Sequence, residues 1–116
     1  MARQKLERQP NLLEYTPCTR IDWEGEPRQI ALLVPKFKNA FLQRHISTHL
    51  SKPHVRVKLD EYGSCVWQHI DGCRTVQEIA LTLREQYGEA VEPVFDRVGL
   101  FICQLYRNQF IQLEKK

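Results

Sequence analysis

Apolar positions in this chain keep two different periods. In Thr19-Arg20-Ile21-Asp22-Trp23, Ile21 and Trp23 alternate with polar neighbours, as a half-buried strand requires. Glu24-Gly25-Glu26-Pro27 follows with turn chemistry. Ile30-Ala31-Leu32-Leu33-Val34 is an apolar run of strand length stopped by Pro35, which predicts a central strand. Val55, Val57 and Leu59 alternate with Arg56 and Lys58, which predicts a third strand over 55–59. Its apolar side chains should face inward and its long basic ones outward, as at a sheet edge.

The second period is helical. Ala40, Phe41, Ile46 and Leu50 fall near helical spacing behind a cap at Asn39, so a helix is expected over 39–50, inside an insert over 35–53. Hairpin loops are usually far shorter, which marks this connection as an elaboration. Asp60 should cap a helix from Glu61 to about Ile70, with Tyr62, Cys65, Val66 and His69 on one stripe, and Asp71-Gly72 should break it. Thr75-Val76-Gln77-Glu78 reads as a capping box opening a helix with Val76, Ile79, Ala80 and Leu83 inward and Gly88 as its C-cap. Pro93 should start a third helix running to about Asn108, with Val94, Val98, Phe101, Ile102 and Leu105 in the core. Phe110–Leu113 closes the chain as an extended, partly buried tail.

Residues 1–15 lack a clear period and are expected to be a flexible arm, leaving 16–116 as one domain. The fold class expected is α+β: a three-stranded antiparallel sheet followed by a three-helix bundle resembling a winged helix-turn-helix, with a helical insert between strands two and three.

Composition adds limits. At 116 residues, 42% hydrophobic and 27% charged, the chain is of ordinary globular type. No apolar run reaches the ~20 residues of a membrane span. Four cysteines without an export signal read as reduced thiols, so a cytoplasmic location is expected. The net charge of +3 is unevenly placed. Residues 36–58 hold six basic side chains and no acid, whereas 59–116 hold nine acids against six bases. Such a basic stretch can attract phosphates, nucleic acid or an acidic peptide.

Catalytic patterns are missing from the sequence: it holds no phosphate-binding glycine loop, no nucleophile elbow and no HExxH. No enzyme activity and no cofactor are expected. Cys65, His69 and Cys73 are spaced four apart and Cys103 would be needed as a fourth zinc ligand, but buried thiols on apolar stripes account for Cys65 and Cys103 more simply. A winged-helix DNA-binding regulator is the alternative function. Against it, the third helix opens Glu92-Pro93-Val94-Phe95-Asp96, which repels phosphate. An open edge at strand three, by contrast, offers backbone N–H and C=O groups to an added strand. A second copy of the chain could use that edge too, giving a homodimer.

Leu59, Asp60, Trp67, Asp71, Gly72, Arg74, Thr75, Val76, Glu78 and Ile79 resemble the cap-and-turn signature of the PqqD family, and the likeness extends through helix three to Leu113. The resemblance implies a peptide chaperone, or RiPP recognition element. Such a protein binds the leader of a ribosomally made precursor peptide as an added strand and presents it to a modifying enzyme, often of the radical SAM type. Carried over by position, the peptide-binding residues would be Val55, Arg56, Val57, Lys58 and Leu59 with Arg97, Leu100, Gln104 and Arg107 of helix three. No membrane and no nucleic acid are among the expected partners. The 35–53 insert departs from the family's compact hairpin.

Overall fold

The computed structural model describes residues 10–35 and 54–115. Three of its strands, β2 (Asp22–Glu26), β3 (Gln29–Pro35) and β4 (His54–Lys58), pair antiparallel in the order β2-β3-β4. The apolar run that predicted a central strand is indeed central: Ile30, Ala31 and Leu32 are buried. Pro27-Arg28 closes the β2–β3 hairpin. Gly25 precedes that turn at φ +109°, and a Cβ there would run into the Gln29 carbonyl, so only glycine fits. The helix expected over 39–50 lies outside the described residues, as does the insert beyond Pro35.

Three helices follow, each started by its local chemistry. Asp60 accepts the Gly63 N–H at 2.7 Å and opens α1 (Glu61–Gln68). Thr75 and Glu78 form the capping box of α2 (Val76–Tyr87) with bonds of 3.1 and 2.8 Å. Gly88 ends α2 at φ +63° and begins a 3-10 turn, Gly88–Val91. In α3 (Val94–Arg107) the first free N–H is taken by Glu92, whose Oε1 accepts from Val94 at 3.0 Å. The core lies between the helices and one sheet face. It gathers Ile30 and Leu32, Val66 and Trp67, Ile79 and Leu83, and Val98, Ile102 and Leu105. None of the described helices is long and apolar enough to cross a membrane.

Pro10–Glu14 form a 3-10 turn and Tyr15–Thr19 form β1, so regular structure begins ahead of the boundary expected after residue 15. The strand expected over 19–23 straddles a break: β1 ends at Thr19, and β2 starts at Asp22. The tail is itself a strand, β5 (Ile111–Lys115), paired antiparallel with β1 in a second, two-stranded sheet. Arg20 N–H donates to the Phe110 carbonyl at 2.9 Å, which sets the ladder's parity. With that parity the missing N–H of Pro17 faces away from β5. Its carbonyl accepts from Gly72 N–H at 3.1 Å and ties β1 to the α1–α2 turn. Leu13 packs on the core, and Leu12 lies over Gly99 of α3.

Candidate functional site

Among the described residues β4 has a neighbour on one side only, β3. Leu59 N–H donates to the Ile30 carbonyl at 2.9 Å, directly opposite in register. In an antiparallel ladder, hydrogen-bonded positions recur every second residue. The N–H and C=O groups of Val55, Val57 and Leu59 therefore turn toward β3, and those of Arg56 and Lys58 point out along the free edge. The return bond of the Leu59–Ile30 pair is replaced by a side chain. The buried hydroxyl of Ser64 accepts from Ile30 N–H at 3.0 Å and reaches the Leu59 carbonyl at 3.5 Å.

The two faces of this sheet differ sharply. Trp23, Leu32 and Val57 share a row on the core side, with Val34 and Val55 beside them. The helices cover only one end of that face. Leu32 is fully buried, but Trp23 is 44% exposed, Val55 48% and Val57 36%. The inward packing expected of Val55 and Val57 is thus corrected: they point to the core side but lie past the helices. Leu59, half-buried, does pack on the core. The other face is charged. Arg56 reaches diagonally to Glu24 of β2, Nη2 to Oε2 at 2.9 Å.

Where β4 runs out, a cleft of about 440 Å³ opens between it and α3. Tyr62, Val66, Val98 and Phe101 give it an apolar lining, Leu59 forms its strand side, Asp60 and Arg97 supply charge, and Lys58 borders it. Gly63 forms part of the lining because a Cβ there would stand 3.4 Å from Phe101 Cζ and 3.1 Å from Asp60 Oδ1. Arg97 is fixed on the cleft wall: Nη1 donates to the Ala90 carbonyl at 3.0 Å and the guanidinium lies 5.7 Å from the Tyr62 ring centroid. Tyr62 in turn meets Tyr87 edge-on at 4.9 Å. Desolvation, then the hydrogen bond Tyr87 donates to Glu61 at 2.9 Å, pushes the Tyr87 phenol up to about 12. That group stays a neutral donor.

The structure divides the residues expected to form the site. Lys58, Leu59 and Arg97 meet at the cleft. Val55, Arg56 and Val57 continue the open edge away from it. Leu100, 60% exposed, and Gln104 stand outward on α3 without lining the cleft. Arg107 borders a separate depression beside β5 with Arg20 and Tyr106. Sequence reasoning did not select Tyr62, Gly63, Val66 or Phe101 as lining. A glycine inside a helix costs about 1 kcal/mol relative to alanine, and that cost was the available signal.

The thiols read otherwise than as a metal centre. Burial first, then the Glu61 carboxylate, pushes the Cys65 thiol up, and it donates to Gln86 Oε1 at 3.5 Å. His69 Nδ1 donates to the Cys65 carbonyl at 2.7 Å. Among the described residues no group of three or more His, Cys, Asp or Glu side chains is arranged to hold a metal ion, so the set Cys65, His69, Cys73 and Cys103 is not assembled.

Comparison with known proteins gives one match. A family described as Coenzyme PQQ synthesis protein D (PqqD) matches residues 50–111, from just ahead of β4 to the first residue of β5. No curated relative and no solved structure matches significantly.

Proposed function

The chain belongs to the PqqD family, and from that membership we propose that it is a non-catalytic peptide-binding protein of a coenzyme-PQQ-like biosynthetic system. In this reading an extended segment of a ribosomally made precursor adds to the free edge of β4. The three helices serve as a winged-helix-like support, and the loaded protein presents the segment to a modifying enzyme of the radical SAM type. The observation that carries the reading is the edge at Arg56 and Lys58, unpaired among the described residues, running into the cleft beside α3. Main-chain bonds would supply affinity there, and the cleft would select side chains.

The test follows from the ladder parity. Arg56→Pro removes an outward N–H and leaves the β3–β4 bonds intact, whereas Val57→Pro breaks the internal ladder. Titration with synthetic leader segments of the precursor should give saturable binding at physiological salt. Arg56→Pro should weaken it by up to about tenfold, the loss of one backbone bond, with Arg56→Ala as the control for the side chain. Unchanged affinity in a folded Arg56→Pro protein would reject the edge. Binding of duplex DNA with steep salt dependence, and none of peptide, would favour the regulator reading instead. A second copy of the chain is the competing occupant, and a dimer that dissociates on peptide addition would show that both use one edge.

A further inference from the structure

We infer that the segment taken by this edge carries an apolar–acidic–apolar triplet, with the acid beside Lys58 and one flanking apolar side chain in the cleft. The inference rests on the peptide-binding reading and adds the chemistry of the bound chain. It comes from register and charge. A strand added to β4 bonds to the outward groups of Arg56 and Lys58, and its side chains alternate between the two faces of the extended sheet. Residues set opposite Leu59 and Val57 fall on the apolar face. One enters the cleft lined by Tyr62, Val66 and Phe101, and the next lies against the exposed Val57 side chain. The residue between them falls on the charged face, opposite Lys58. Because the triplet is symmetric, it reads the same whichever way the added strand runs.

Charge fixes the middle position. Across the sheet, Lys58 shares a row with Ala31 and Glu24, so Glu24 is its natural same-face acid. Arg56 has taken that carboxylate at 2.9 Å. Among the described residues no acid is paired with Lys58, and an opposite charge on the next strand would supply one. Arg97, held by the Ala90 carbonyl and the Tyr62 ring, stands on the cleft side with the apolar residues, so Lys58 alone sets the middle position. Asp60, the one carboxylate in the lining among the described residues, is occupied in capping α1.

Two short peptides decide the matter, identical except for a central Leu-Glu-Val or Leu-Lys-Val between serine and threonine flanks. Wild-type protein should prefer the glutamate peptide by about three- to tenfold, the scale of a cross-strand charge pair set against a like-charge contact. Lys58→Glu, with its fold checked by circular dichroism, should reverse that preference. Replacing both flanking apolar residues of the peptide by serine should weaken binding about tenfold or more, because the apolar side chain in the cleft is lost whichever way the strand runs. Equal binding of both peptides, unchanged in Lys58→Glu, would overturn the triplet and leave the edge-binding reading standing. Binding of neither peptide would overturn both.

Discussion

Ser64 stands where a ladder bond would otherwise close, and it makes the junction of strand and helix a single hydrogen-bonded unit. Its hydroxyl joins Ile30 of the central strand to Leu59 at the end of β4, in a fully buried site. Asp71 does comparable work in the turn between α1 and α2. Its Oδ1 accepts from the N–H groups of Cys73 and Arg74, both at 2.9 Å, and Oδ2 meets the Arg74 guanidinium at 2.8 Å. The Arg74 and Cys73 backbone bonds, more than the Arg74 charge, hold the carboxyl below its usual value. A depressed folded-state pKa means that the stabilisation is complete above the unfolded value of about 3.9 and is lost as the pH falls through the folded one. Asp71 is exposed and solvent screens it, so Asp71→Ala should cost no more than about 1 kcal/mol near neutral pH. Urea unfolding of the two proteins should converge in strong acid; a constant difference down to that range would count against the carboxylate's role.

At the scale of elements, what the sequence declared depended on how local the cause was. Asp60, the Thr75–Glu78 box and Gly88 act within a turn of their own helices, and all three caps stand where their spacing put them. Thr75→Ala should lower stability by about 1 kcal/mol without altering the folded spectrum, measurable as a shifted midpoint at constant denaturant slope. Core stripes were legible in part: Val94, Val98, Ile102 and Leu105 of α3 are buried, but Phe101 is half-buried on the cleft. The stripe expected of α1 missed Ser64 and Trp67, which are buried while Tyr62 and His69 are not. Alternation was legible only halfway. It assigned Val55, Val57 and Leu59 to one face correctly, but whether another element covers that face depends on where the helices end, which no local period records. The cleft was hidden for the same reason. Its lining is drawn from strand, turn and three helices, and only the helical glycine at 63 hinted at a close approach.

For the molecule as a whole, the long-range pairing of β1 with β5 is what the pattern could not reveal. Tyr15-Thr16-Pro17-Cys18-Thr19 holds a proline and little apolar character, so its strand state is imposed by a partner almost the full chain away. The family match begins at residue 50, and β1, β2 and β3 all precede it. Yet β3 supplies Ile30 and Leu32 to the core on which the matched segment folds. If β5 is integral, Ile111→Ala should cost about 2–5 kcal/mol, as a core isoleucine does. A cost below about 1 kcal/mol in equilibrium unfolding, the level of a surface change, would mark the tail as an appendage.

The β1–β5 ladder also governs how the molecule answers force. Its outermost rung is Tyr15 against Lys115 and its innermost Thr19 against Ile111, so both strands exit at the same end. Tension applied through those exits loads one rung at a time and peels the pair like a zip, instead of shearing all the bonds together. A pull on the N-terminal side first meets Leu12 and Leu13, packed on α3 and the core, and the peeling ladder reaches the Pro17–Gly72 tether only after the Tyr15 and Thr16 rungs have opened.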